Sequence, residues 1–266
     1  MRNIRRMQVL VAVAALSLIA ASCTLDADES AFSVLVFSKT AGYRHESIEA
    51  GIAAIRTLGV DSGFKVDASE DATRFTNASL AGYRVVVFLN TTGTILDAEQ
   101  RRALQTFIES GGGFVGVHAA SDTEYDWPWY GQLVGAYFKS HPDIQRARIR
   151  VIDRIHPSTR SLPRTWPRTD EWYNFRQSPA ASVRVLATLD EASYRGGDMG
   201  VDHPIAWCRE FDGGRAWYTA LGHTVASYGE PLFRQHLLGG ILWAAGREAA
   251  GNARVNVTGS LTSPSR

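Results

Sequence analysis

Cysteine is nearly absent from this 266-residue chain, which has only Cys23 and Cys208. A disulfide framework is thereby excluded, and no thiolate pair exists to hold zinc. An excess of either charge is also missing. The 28 Lys and Arg residues stand against 27 Asp and Glu, a formal net charge of +1. With no basic stripe along the chain, nucleic acid is not expected as a partner. There is no Pro-rich linker and no internal repeat. Two compact catalytic signatures are missing as well: G-x-S-x-G, which would mark a Ser-His-Asp hydrolase, and H-E-x-x-H, which would mark a zinc hydrolase.

The chain does begin with a targeting pattern. Arg2, Arg5 and Arg6 precede an apolar run from Val9 to Ala21. Residues 1–22 read as a signal peptide, too short and too early for a stable membrane span. They close on Ala20-Ala21-Ser22-Cys23, which resembles a bacterial lipobox. That resemblance implies cleavage before Cys23, lipid on its sulfur and anchoring at a membrane surface, periplasmic or extracellular. Without the lipid, the reading is plain secretion. Residues 23–31 then form the lipidated Cys and its tether. Residues 247–266 collect Ser, Thr, Asn and Gly as a flexible tail. The remaining 32–246, about 215 residues, suffice for one domain with a large core.

Within that domain strand-like and helix-like segments alternate. Ser33–Ser38, Arg84–Asn90 and Phe114–Val117 are short apolar runs of buried-strand length, and Phe64–Ala68 can form a further strand. Between them, Glu46–Leu58 has apolar residues at helical spacing and ends at Gly59. Ala98–Ser110 follows a plausible N-cap, Asp97, and stops at Gly111. The second half is richer in strands: Arg148–Ile152, Asp170–Phe175, Val183–Leu189, Ile205–Arg209 and Arg215–Ala220. Asp212-Gly213-Gly214 makes a hairpin turn, and Pro231 opens a final helix, Leu232–Ala245. The expectation is an α/β domain with a mainly parallel sheet covered on both faces and a β-rich second half.

In open α/β sheets ligands sit at the carboxyl ends of the strands, so the strand ends locate candidate residues. The most informative is Gly116-x-His118, where a glycine-fed strand delivers an imidazole into a sharp turn among small residues. An acidic and aromatic run follows, with Asp122, Glu124, Trp127 and Trp129. Other strand ends carry Lys39 and His45, Asn90, and His223 after Leu221-Gly222. His203 precedes Pro204. Glu171 lies beside Trp172, Tyr173 and Phe175. A carboxylate in such surroundings must be paired or titrate abnormally, which suits a general acid or base. We therefore assign His118, Glu171 and His223 as catalytic candidates. Lys39, His45, Asn90, Asp122, Glu124, Trp127, Trp129, Tyr173 and His203 are candidates for binding substrate. No cofactor is required by any motif. If a divalent metal is bound, its ligands are His118, His223 and Glu171, with His45 or His141 in reserve. Flat Trp and Tyr faces rimmed by hydrogen-bonding groups suit a sugar ring. His156 and His236 read as structural.

At these residues the chain resembles the trehalose-utilisation family of ThuA-like domains. The matching stretches are residues 34–45 (VLVFSKTAGYRH), 87–93 (VFLNTTG), 111–130, 135–142 (GAYFKSHP), 169–175 (TDEWYNF), 203–207 (HPIAW) and 218–224 (YTALGHT). The resemblance implies a flavodoxin-like three-layer sandwich of the class I glutamine amidotransferase type. Those amidotransferases carry Cys at the elbow occupied here by His118, so thiolate-based glutamine hydrolysis is not expected. The family's association with disaccharide uptake, breakdown and 3-keto sugars implies a carbohydrate ligand. Two readings follow. One is an exported enzyme, a hydrolase, lyase or isomerase acting on glycosides or keto-glycosides by acid–base chemistry. The other is a non-catalytic sugar-binding module at the cell surface.

Overall fold

The computed structural model describes residues 31–247. The expected signal peptide, Cys23, its tether up to residue 30 and the tail beyond residue 247 lie outside them. Four short segments form parallel strands: the apolar β1 (Ser33–Phe37), β3 (Val85–Leu89) and β4 (Gly113–Val117), and the more polar edge strand β2 (Lys65–Ser69). In β1 from Val34 on, and throughout β3 and β4, every residue is buried. This explains why these strands read as continuous rather than alternating apolar runs.

The helices begin and end where local chemistry directs. α1 spans Ile48–Ser62 and ends on Gly63, whose φ of 79° is left-handed. It runs past Gly59, the expected stop. A Cβ at Gly59 would lie 2.7 Å from the Phe64 carbonyl oxygen, so this glycine serves a close helix–strand approach rather than a cap. The short α2 (Asn77–Leu80) precedes α3 (Ala98–Glu109). In α3 a reciprocal Asp97–Gln100 capping box satisfies the first amides. α4 (Pro128–Val134) was not expected; it starts on a proline at its first position within what reads as a loop.

β5 (Phe138–Ser140) pairs with the two-residue β8 (Asn174–Phe175) as a small ribbon. β6 (Gln145–Val151), β7 (Thr165–Asp170), β9 (Arg184–Asp190), β10 (His203–Phe211) and β11 (Gly214–Thr219) join the main sheet, and α5 (Pro231–Ala244) closes the domain. The nine-stranded order is β2-β1-β3-β4-β11-β10-β9-β6-β7. From β2 to β11 the pairings are parallel, and from β11 to β7 antiparallel. The β-rich second half therefore extends the same sheet.

Helices cover both faces. Phe88 of β3 and Phe114 of β4 pack with Tyr130 of α4. Neighbouring side chains on the opposite face meet other helices: Leu89 faces Gly51 of α1, and Gly113 abuts the Ala244 carbonyl of α5. The result is a three-layer α/β sandwich. Among the described residues, no helix is long and apolar enough to cross a membrane.

Candidate metal centre

β1, β3, β4 and β11 run in the same direction, so their carboxyl ends open onto one rim. At that rim β3 leads into Asn90 and β4 into His118, each with left-handed backbone (φ 51° and 48°). Such a conformation is unusual for a non-glycine residue and is tolerated where the surroundings hold it. Gly116 supplies the room: a Cβ there would come 2.9 Å from the Tyr218 ring. After β11, Gly222 adopts φ 106°, and a Cβ would lie 2.9 Å from the Tyr228 hydroxyl. This glycine turns the chain so that His223 faces His118.

Four donor groups from four elements converge. One ligand atom from each of His45, His118, Glu171 and His223 lies within 4.8 Å of the others. His118 Nδ1 donates to the Ala220 carbonyl at 2.7 Å, leaving Nε2 as a lone pair in the neutral ring. That Nε2 lies 3.1 Å from His223 Nδ1 and 3.3 Å from Glu171 Oε2. His223 Nδ1 is 3.1 Å from the same Oε2. Three side-chain atoms from three separate segments thus crowd about one point. His45 adds a buried Nδ1 with no protein partner. Its ring meets those of His118 and His223 edge-on, with centroids 5.0 Å apart in both cases. Burial, reinforced by the two neighbouring histidines, pushes its pKa down to about 3, so its nitrogens are neutral at ordinary pH. Burial pushes the Glu171 carboxyl up. Hydrogen bonds and charge from His118 and His223 outweigh it and hold the group ionised, well below the usual carboxylate range.

Donor atoms about 2.0–2.2 Å from a common ion stand about 3.0–3.5 Å apart, which the His118, His223 and Glu171 separations match. Three imidazoles and one carboxylate suit a divalent transition metal.

Asp170, the last residue of β7, organises this centre from behind. Its buried carboxylate accepts the Gly222 and His223 amides at 3.0 and 3.2 Å, and the Ser227 hydroxyl at 3.2 Å. It pairs with the buried Arg168 at 3.2 Å. These bonds end β7 at Asp170, so the single strand expected over Asp170–Phe175 is two, with Glu171 in the bend between them. The sequence places Asp170 with Glu171 and Tyr173 among the polar residues of the rim but gives it no role of its own. His141, half exposed, brings Nδ1 to 3.1 Å from Glu171 Oε1, on the side away from the other histidines.

The remaining candidates divide. Asn90 donates to Ser47 Oγ (2.9 Å) and contacts the Gly222 carbonyl, so it braces the backbones carrying His45 and His223 instead of reaching a substrate. Tyr173 is buried, its ring tilted on His118 at 4.1 Å. His203 is fully buried; Nε2 lies 2.8 Å from the Tyr173 carbonyl and Nδ1 2.8 Å from Glu191. Both are supports, not substrate contacts. Glu124 is buried too: it accepts the Ile95 and Leu96 amides and pairs with Arg101, pinning the loop before α3. Lys39 donates to the Ile95 carbonyl on the same loop. Asp122 accepts the Tyr125 hydroxyl at 2.5 Å, and burial raises its carboxyl pKa.

Trp127 and Trp129 are corrected most. Their rings stack on each other at 5.0 Å at the start of α4, Trp127 as its N-cap residue, and Trp129 donates to Asp212. Asp212 is in the β10–β11 turn, beside the start of β4, at the opposite end of the sheet from His118. The aromatic group exposed near the site is Tyr43 (63% exposed), whose ring meets His45 edge-on at 4.9 Å. Thr92 holds the approach to it, accepting the Gly42 amide and donating to the Tyr43 carbonyl.

Comparison with known proteins places this arrangement. A ThuA-like protein of Bacteroides uniformis superposes with a TM-score of 0.69 at 24% identity, over 80% of this chain and 91% of that one. Another from Parabacteroides merdae gives 0.68 at 21%, over 81% and 90%. A β-galactosidase of Bacillus circulans gives 0.54 at 14%, over 85% of this chain and 32% of the enzyme, a likeness of fold alone. No curated protein matches the sequence. The family model described as trehalose utilisation, ThuA, matches residues 33–244, and the chain belongs to that family.

Proposed function

We propose that the chain is a divalent-metal-dependent, carbohydrate-active enzyme, a hydrolase, lyase or isomerase acting on glycosides or keto-glycosides. The observation carrying this reading is the convergence of His45, His118, His223 and Glu171, whose ligand atoms lie within 4.8 Å of one another. A bound ion would be held by this set and supply electrostatic stabilisation for negative charge developing on a substrate oxygen. The four residues are then ligands. This moves His118 and Glu171 away from the proton-transfer roles expected of them.

Proton transfer falls to His141, which is half exposed and oriented by Glu171. On a 3-keto-glycoside the ketone acidifies the C2 proton. His141 takes that proton, the C2–H electron pair becomes the C1=C2 bond, and the C1–O pair leaves with the aglycone oxygen, which is protonated from water. The exposed Tyr43 offers an apolar face for the sugar ring. For location, the proposal remains a protein exported through residues 1–22 and anchored by lipid on Cys23; Cys23→Ser should release it to the soluble exported fraction.

Protein purified without chelator should hold about one divalent ion per chain. It should convert 3-keto-trehalose or a related keto-glycoside, and lose that turnover on chelation. A metal content far below stoichiometric, with chelator-insensitive turnover, overturns the metal reading. No turnover of a broad glycoside and keto-glycoside panel by metal-loaded protein overturns the enzyme.

A further inference from the structure

A cavity of about 560 Å³ is lined by residues of α4 and by residues flanking the β5–β8 ribbon. Its size is that of a small-molecule site. Its lining includes Gln132, Tyr137, Arg176, Ser178, Ser182 and Arg209, and contains no Asp or Glu. None of the four clustered donors of the candidate metal centre, nor His141, takes part in it.

The two arginines set its chemistry. Arg176 sits over the Tyr125 ring, with its guanidinium carbon 4.0 Å from the centroid. The contact is a cation–π one, which does not use up the guanidinium N–H donors. Its backbone amide donates to the Tyr137 carbonyl, which fixes the base of the side chain. Arg209 is half-buried over Phe211 at 4.8 Å and donates from Nη1 to the Gln132 carbonyl at 3.2 Å. Its Nε is shielded from solvent and has no protein acceptor. Among the described residues no carboxylate pairs with either guanidinium. Two guanidinium groups thus line one cavity that holds no carboxylate, and guanidinium matches carboxylate and phosphate oxygens in bidentate geometry.

We infer that this cavity binds a small ligand through an oxyanion, carboxylate or phosphate, held by Arg176 and Arg209. Its neighbourhood links it to the metal centre. Tyr125, under Arg176, donates to Asp122, and Phe138 of β5 packs on Tyr173 beside His118. An anion held here would steady the ribbon that frames the site.

The test is calorimetry on the full metal-loaded protein at constant ionic strength. The probes are inorganic phosphate, D-glucuronate and D-glucose 6-phosphate, with D-glucose as the neutral control. Saturable binding of at least one anion is expected, weakened at least about tenfold by Arg176→Gln and by Arg209→Gln. His223→Ala should leave it unchanged. Which anion binds distinguishes the carboxylate from the phosphate source. Arg176 is exposed, so R176Q is a fair test even if R209Q fails to fold. No saturable binding of any anion up to about 10 mM, well beyond a millimolar Kd, overturns the inference. So does binding that R176Q leaves intact, or that H223A abolishes, since the latter belongs to the metal centre.

Discussion

Two histidine–carboxylate clusters in this molecule look alike in composition and differ in how their donor atoms are placed. In one, His203 lies between the Tyr173 carbonyl and the Glu191 carboxylate, with the Tyr194 hydroxyl nearby. Each ring nitrogen has its own acceptor. The two acceptors lie on opposite sides of the ring, and no other histidine shares them. In the other, His118 Nε2, His223 Nδ1 and Glu171 Oε2 crowd within 3.3 Å of one another, and His45 adds a neutral, unpartnered nitrogen. In the first cluster each nitrogen has a separate partner; in the second the donor atoms of four residues converge within 4.8 Å, a set that could hold a cation. Convergence of donor atoms on one point, rather than the number of histidines, separates the two.

The sharpest way to break this contrast is to delete one member of each cluster. His223→Ala should abolish stoichiometric metal binding and cost about 10²–10⁴ in turnover, with sugar binding less affected. Elemental analysis, turnover and sugar titration read this directly. If sugar binding persists and no variant or wild type ever turns over, the chain is a binding module. His203→Ala should instead leave the metal stoichiometry intact. It should destabilise the fold by ~3 kcal/mol in chemical denaturation, because Glu191 loses its buried partner. Metal loss in both variants, at equal stability, would erase the distinction.

Asp170→Asn makes a finer cut. The amide keeps the size but weakens the grip on the Gly222 and His223 amides and on Arg168. Metal affinity should fall about 10–100-fold while all four ligands remain. Competition with a chelating indicator measures it. Restoration of affinity by Asp170→Glu is not expected, because the added methylene displaces the carboxylate.

The smallest effect concerns acid. Burial lowers His236 to about 4 and His156 to about 3. Both bind protons more readily when unfolded, near the ordinary 6.5. Their contribution is therefore full above about pH 6.5 and is lost as pH falls below it. Metal-free protein should lose on the order of 2 kcal/mol from His236 between pH 6.5 and 4. Denaturant titrations at stepped pH report it. Stability that stays flat over this interval would contradict the burial-driven shifts.

Much of the rim was legible because strand ends follow a local grammar. Gly116-x-His118 and Gly222-His223 each announce an imidazole at a turn, since small residues are needed where the chain leaves a crowded sheet. Glu171 stood out as a carboxylate among aromatics. Trp127 and Trp129 misled because helix α4 opens at Pro128 within a stretch lacking a clear apolar period. The helix turns both rings toward its own side of the sheet. Asp170 and the exposed ring of Tyr43 were invisible as roles: one acts through amides 52 and 53 residues away, the other through exposure.

By itself the sequence determined the short buried strands, the capped α3, the Pro-led α5 and the set of polar residues at strand ends. All of these depend on interactions within a few residues, which hydrophobic period, caps and turns record. Only the tertiary structure decided that β11 lies between β4 and β10, parallel to one and antiparallel to the other. That placement carries His223 to His118. Likewise, β7 ends against the β11 loop and brings Glu171 to both. Four residues scattered from 45 to 223 meet within 4.8 Å because strand order is set by packing and ladder hydrogen bonds across the whole sheet, and no local pattern encodes such pairings.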